Sequence, residues 1–348
     1  MKNKQNSILK SASSRIKPFA WSPRNWVQLS VLILTMLIGL QFYFWVRQIE
    51  SGGVVSIGRP PGVEGFLPIG SLMGWKYFFL TGDWDPVHPA GMVILGFAVL
   101  ISFVLRKSFC GWFCPVGTIS EWLWRLGRGK NGRNIVPPKW LDIPLRSLKY
   151  ILLVFFAWAV LLMDSGSLER FFVLPYWKVS DIKMLYFFTG MSGTAAIVIL
   201  SLVVGSIFIR NFWCRYLCPY GALTGIFGFL GPTRIKREES TCIDCNLCAK
   251  VCPTYLPVDV KPQIISAECT GCTSCVDVCP VKDTLDFKTI GLPAGFWTSR
   301  KLVFAIGGLF IILVITARIS GGWVSHVSIE EIRSILPDID FLKHTSGF

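Results

Sequence analysis

Two copies of one cysteine spacing, C-x2-C-x2-C-x3-C-P, stand 27 residues apart from start to start: CIDCNLCAKVCP from Cys242 and CTGCTSCVDVCP from Cys269. Three thiolates on a tight turn reach three irons of one cubane, and a short helix carries the fourth to a second cluster. The spacing therefore predicts one [4Fe-4S] cluster on Cys242, Cys245, Cys248 and Cys279, and another on Cys269, Cys272, Cys275 and Cys252. Structural zinc sites use two separated pairs and have no use for a third cysteine at this spacing.

The remaining cysteines form two pairs, Cys110 with Cys114 in SFCGWFCPVG and Cys214 with Cys218 in NFWCRYLCPYG. Residues four apart on a helix share a face. The proline after each second cysteine biases that cysteine away from helix, so each pair belongs at a helix terminus. Two such termini together supply four sulfurs, enough for a shared iron or iron-sulfur site. A reversible dithiol and packed free thiols are the alternatives.

The elements that must position these cysteines are apolar. The chain of 348 residues is 52% hydrophobic and only 16% charged, with a mean hydropathy of +0.53, which fits an integral membrane protein rather than a soluble domain. Runs near the roughly 20 residues needed to cross a hydrocarbon core lie at Trp26 to Val46, His88 to Leu105, Leu148 to Met163, Thr194 to Ile209 and Leu302 to Ile319. About five transmembrane helices are expected. The first run lies behind a polar stretch and is followed by no small-residue cleavage pattern, so a removable signal peptide is not expected.

A net charge of +14 raises the question of nucleic acid, and the distribution of charge answers it. Lys2, Lys4, Lys10, Arg15, Lys17 and Arg24 precede the first span with no acid among them, and the loop after the second span sets its basic residues against only Glu121 and Asp142. The alternate loops are balanced or acidic. This is the positive-inside pattern of an inner-membrane, multi-pass protein, with the N-terminus cytoplasmic and the C-terminal tail external. No basic stripe with interleaved aromatics remains, which excludes nucleic-acid binding. All twelve cysteines fall on the expected cytoplasmic side, where disulfides rarely persist and ligation or redox chemistry is favoured.

The second and fourth runs, aligned on their cysteines, match as an internal parallel repeat: ILGFAVLISFVLRKSFCGWFCPVGTI against VILSLVVGSIFIRNFWCRYLCPYGAL. After Pro115, Ile119, Trp122, Leu123 and Leu126 recur at helical spacing beside Arg125 and Arg128, predicting an interfacial helix. The expected layout is a basic tail over 1–25, a four-helix membrane domain over 26–233, a cysteine-rich domain over 234–290, a fifth transmembrane helix over 301–319 and an external tail over 320–348.

The stretch from Cys242 to Pro280 resembles the bacterial two-cluster ferredoxin domain, so the expected fold class is an α-helical integral membrane protein with an inserted α+β ferredoxin-like domain. Spans bearing CGWFCP and CRYLCP followed by that domain resemble, over roughly residues 26 to 290, the NapH family of membrane quinol dehydrogenase subunits, with NosR, NirI and CcoG proteins in the same superfamily. The resemblance implies electron transfer between the quinone or menaquinone pool and a partner oxidoreductase through two [4Fe-4S] clusters. A CcoG-like copper reductase or maturation factor is the alternative, and a redox-signalling role is a third. A fifth span and a tail depart from the simplest NapH pattern, and the large periplasmic domain of the CcoG type is absent.

Quinol oxidation releases two protons with its two electrons, so a site needs an acid-base group at the membrane edge. The histidines are His88, in GDWDPVHPAG beside Asp83 and Asp85, and His326 and His344 in the tail. His88, Asp83 and Asp85 are therefore candidates for a quinone and proton relay, with Trp75, Tyr77 and Trp84 to flank a ring. Interfacial anchoring by those aromatics is the competing account.

Overall fold

The computed structural model describes residues 22–127 and 134–342. The basic tail expected over 1–25 lies almost wholly outside the described residues, as do Arg128 and His344. Among the described residues the α-helices of more than five residues are α1 (Pro23–Glu50), α2 (Pro68–Thr81), α3 (Pro89–Val104), α4 (Pro115–Leu126), α5 (Lys139–Leu162), α6 (Ser165–Val173), α7 (Ser180–Thr189), α8 (Gly193–Phe208), α9 (Pro219–Leu230), α10 (Ser299–Ile319) and α11 (Ile329–Ile335).

Among the described residues three helices, α1, α5 and α10, are long and apolar enough to cross a membrane, rather than the five expected. They carry apolar side chains outward: Leu34 and Met36 on α1, Phe155 and Trp158 on α5, Phe304 and Ile312 on α10. A water-facing helix would not expose such a belt. The second and fourth expected spans are α3 and α8, each 16 residues. At 1.5 Å per residue each covers about 24 Å, short of a core of about 30 Å. Their apolar runs stop because the chain turns to present the cysteines: Arg106 after α3 and Asn211 after α8 both take left-handed backbone, at φ 63° and 54°. With α7, α8 makes a helix pair bent by 81° that would count as a fourth span.

The chain divides into two compact units, and the boundary falls part-way along each of α1, α3, α5, α8 and α10. The first unit comprises the described residues of 1–32, 98–153 and 200–308 and holds all the cysteines. Its ferredoxin-like part is a three-stranded antiparallel sheet in the order β2 (Gln263–Ile264), β1 (Thr233–Arg237), β3 (Leu285–Thr289). Ile235 is paired with Ile264 on one side and Phe287 on the other, and all three are buried. The second unit comprises 33–97, 154–199 and the described part of 309–348. There Phe42, Trp45, Val46 and Ile49 from the end of α1 pack with Val179, Ile182, Ile332 and Ile339, so the tail contributes to a shared core.

Candidate functional site

The ferredoxin-like part surrounds two cavities. One is lined by Cys252, Cys269, Cys272 and Cys275, the other by Cys242, Cys245, Cys248 and Cys279. The loops that bend round them use left-handed backbone at Asp244, Asn246, Gly271 and Thr273, and the five-residue helices Leu247–Val251 and Ser274–Val278 carry Cys252 and Cys279 away from their own runs. Among the described residues no three His, Cys, Asp or Glu donors converge as round a single ion. Quartets of thiols round a mainly apolar cavity instead fit a cluster, whose iron core spreads its ligands. Burial and the neighbouring thiols of Cys272, Cys252 and Cys269 push the Cys275 thiol well above its ordinary value, so a cationic core is what would favour its thiolate.

The two C-x3-C-P pairs adopt the same local turn. Cys114 N–H donates to Phe109 O at 2.9 Å and Cys218 N–H to Trp213 O at 3.1 Å, each spanning five residues. Each second cysteine then caps the next helix: Cys114 Sγ accepts from Gly117 N–H at 3.4 Å at the start of α4, and Cys218 Sγ from Gly221 N–H at 3.3 Å at the start of α9. Proline at the first helical position costs nothing there, since its missing N–H would have no partner. Cys110 Sγ lies 3.4 Å from Thr224 Oγ1 on α9, which links the first turn to the second. The four thiols are within electrostatic reach of one another. Burial, then Cys110, drive Cys114 up to about 12, and burial, then Cys218, Cys114 and Cys110, lift Cys214 well above its ordinary value. Lys107 is the group that pulls Cys214 back down.

This turn region is also the seat of the second cysteine quartet. A Cβ on Gly111 would stand 2.6 Å from Thr270 O and 3.6 Å from Cys272 Cβ, so only glycine admits that approach. Trp112, fully buried, donates Nε1–H to Gly271 O at 3.0 Å. Arg106, four residues before Cys110, donates to Ser266 O at 2.6 Å, and Arg210, four residues before Cys214, donates to Cys252 O at 2.8 Å. Arg215 donates to Thr254 O at 3.0 Å while pairing with Asp142 through two bonds of 2.8 Å. A cavity lined by Cys110 and Cys214 is closed on another side by Pro253, Thr254 and Thr270. Buried ion pairs brace the floor: Arg24 and Arg125 grip Glu121, and Lys149 holds Glu268 at 2.6 Å. On α4 the polar Thr118, Ser120 and Glu121 face inward while Val116, Ile119 and Leu126 are exposed, as an interfacial helix requires.

The 4Fe-4S binding domain family matches this chain twice, over residues 87–134 and 187–238, each containing one C-x3-C-P pair. The 4Fe-4S dicluster domain family matches residues 234–280. YccM of Escherichia coli (strain K12), an electron transport protein by name, is 42% identical over 92% of this chain and 91% of its own length. MauN of Methylorubrum extorquens, a methylamine utilization ferredoxin-type protein, is 30% identical over 67% of this chain and 74% of its own; the ferredoxin-type protein NapH of Haemophilus influenzae is 26% identical over 66% and 73%. The chain belongs to the NapH/NosR-type polyferredoxin family. It is a membrane-helix-bearing, ferredoxin-type 4Fe-4S electron-transport protein. No solved structure matches it.

The second unit of this polyferredoxin holds a different cluster. Arg59 Nη2 donates to Asp181 Oδ2 at 2.8 Å and reaches His88 Nδ1 at 3.0 Å, while His88 Nε2 lies 2.8 Å from Trp177 O. A guanidinium can only donate and a carbonyl only accept, so the neutral ring carries its proton on Nε2. Glu64 Oε1 stands 3.8 Å from Nδ1, ready to accept if that nitrogen is protonated. Burial and the Arg59 guanidinium oppose the imidazolium, and Glu64 together with Asp181 outweighs them, leaving His88 above the ordinary histidine value. Asp85 is buried too, with Oδ1 accepting from Val87 N–H at 2.8 Å and Oδ2 unpartnered; burial raises its pKa.

Asp83 is not brought into this cluster. It is exposed beyond the end of α2, where its N–H bonds Thr81. The aromatics also separate: Trp75 and Trp84 come within 6.4 Å of one another, whereas Tyr77 packs edge-on against Phe172 at 5.3 Å. Arg59, Glu64 and Asp181 were not readable as site residues from sequence, for nothing in their spacing joins them to His88. Arg106 and Arg210 did leave a signal, since both follow an apolar run at the same place in the two aligned copies.

Proposed function

We propose that this polyferredoxin is a quinol dehydrogenase-type subunit, moving electrons between quinol or menaquinol in the inner membrane and a partner oxidoreductase. The observation that carries the reading is the grip of Arg210 on Cys252 O and of Trp112 on Gly271 O, which fixes one cysteine quartet of the ferredoxin domain to the helix-end turns bearing the other cysteines. Bound in the two quartets, [4Fe-4S] clusters supply one-electron storage and relay. Cys242, Cys245, Cys248 and Cys279 hold one, Cys269, Cys272, Cys275 and Cys252 the other, and Cys110, Cys114, Cys214 and Cys218 hold a further iron site. His88 accepts a proton at Nδ1, with Glu64 as its new partner, and Asp85 shares the load. The charge bias supports a cytoplasmic ferredoxin domain and an external tail.

The test uses the full chain purified in detergent, with iron and acid-labile sulfide counted before a menaquinol analogue is added and EPR spectra recorded. Quinol is expected to reduce the clusters, and iron should exceed what two four-iron clusters contain, the surplus vanishing in the Cys110→Ser, Cys214→Ser double variant. Spectra indifferent to quinol at every poise would overturn the quinol reading; iron no greater than two clusters hold would remove the further site.

A further inference from the structure

Lys107 is 3% exposed, between the end of α3 and the first cysteine pair. Its Nζ sits 3.3 Å from where a Cβ on Gly221 would lie, beside the glycine whose N–H caps Cys218 Sγ. The same ammonium lines the cavity with Cys110, Cys214 and Glu268. Glu268 already belongs to Lys149, also fully buried, at 2.6 Å, with Tyr150 OH at 3.5 Å. Among the described residues Lys107 Nζ has no hydrogen bond or ion pair of its own. Two lysines thus share one carboxylate, and the surplus buried cation points at the thiols. An unpaired buried ammonium is costly unless an anion occupies the space it faces.

The surroundings repeat the pattern. Glu121 is claimed by Arg24 and Arg125, and Asp142 by Arg215 and Arg146. Arg106 and Arg210 find backbone carbonyls instead of carboxylates. An iron centre with four thiolate ligands carries net negative charge, and net charge, hydrogen bonds and solvent exposure are what set its potential.

We infer that Lys107 is the built-in counter-charge of an anionic iron centre held by Cys110, Cys114, Cys214 and Cys218, and that it raises that centre's reduction potential. The inference rests on the proposed iron site at those cysteines. One electron, supplied by quinol and passed on to the partner, adds one negative charge beside the ammonium while no bond forms or breaks. The ammonium therefore favours the reduced form. Lys107 touches no reacting atom directly and is a positioning residue whose action is electrostatic.

The experiment is an EPR-monitored redox titration of the full-length protein, wild type against Lys107→Met and Lys107→Arg, with iron counted in each. In Lys107→Met the equilibrium for reducing the third centre is expected to fall by about tenfold or more, a drop of about 59 mV for one electron. The ferredoxin-domain clusters should keep their midpoints, and Lys107→Arg should stay close to wild type. Loss of the centre from Lys107→Met with its retention in Lys107→Arg, the other clusters intact, supports the inference equally, because charge is then what holds it. An unchanged midpoint in Lys107→Met, or loss of the centre from both variants, overturns it. Wild-type iron matching two clusters alone overturns the iron site as well, which separates that failure from a failure of Lys107.

Discussion

In the unit that carries the cysteines, Glu121 takes Arg24 and Arg125, Asp142 takes Arg215 and Arg146, and Glu268 faces Lys149 and Lys107. In the other unit the ratio inverts. There Arg59 is shared between Asp181 and Glu64, with Asp85 nearby and His88 to complete the group. Both clusters are buried, so neither sign of surplus is dispersed by water. A surplus of cations suits a place where anionic metal-thiolate centres are bound. A surplus of carboxylates round one histidine suits a place where protons are held. On the proposed quinol reading, the two halves of that chemistry, electrons and protons, call for opposite electrostatics, and the two units supply one sign each.

The same chemical change should act with opposite sign in the two units, and this is the sharpest way to break the comparison. Asp142→Asn leaves Arg215 buried without an anion and takes the partner of the half-exposed Arg146, and should destabilise the protein by about 3–5 kcal/mol, chiefly through Arg215. Thermal unfolding in detergent measures it; an unchanged midpoint would mean that the cationic surplus is tolerated as it stands.

A somewhat smaller effect is expected from pH. Burial alone would raise Glu121, but Arg24 and Arg125 outweigh it and hold its carboxyl down at about 2. A carboxylate depressed in the folded state stabilises fully above its unfolded value of about 4.3, and that stabilisation is lost as pH falls towards 2. The shift corresponds to about 3 kcal/mol. Glu121→Gln should flatten the decline in unfolding midpoint across that window, and an unaltered slope would assign the acid sensitivity elsewhere.

The smallest effect is expected at Asp85, and it runs the other way. Its raised pKa means that the folded state keeps the proton as pH climbs past the ordinary carboxylate range, so its contribution to stability falls as pH rises towards the folded value. Asp85→Asn removes that loss and should leave the protein as stable or about 1 kcal/mol more stable at pH 7. A marked drop in the unfolding midpoint would show that the ionised form is needed, and would end the contrast with Asp142.

The grouping of the cysteines round two cavities was legible because the spacing is local: Cys242 to Cys252 and Cys269 to Cys279 each encode a turn, a short helix and a fourth thiol carried to the other quartet. The apolar runs were legible for the same reason, by length and composition. Span number was not, because α3 and α8 end early where Arg106 and Asn211 reverse the backbone, and hydropathy has no term for that reversal. Asp83 looked equivalent to Asp85 in GDWDPVHPAG, yet two residues of separation put one in water and the other beside His88.

What the sequence determined by itself is the chemistry available: two sets of four clustered cysteines in 4Fe-4S binding domains, two further thiol pairs at helix ends, and an apolar scaffold with biased charge. Those features depend on residue type and on separations of a few positions. What only the tertiary structure decided is which charges are buried together. Lys107 meets Glu268 and the Cys214 turn, and Arg59 meets Asp181, across more than a hundred residues of chain, and no periodicity records contacts of that range. The sign of the surplus charge round each site follows from those meetings, and with it what each site can hold.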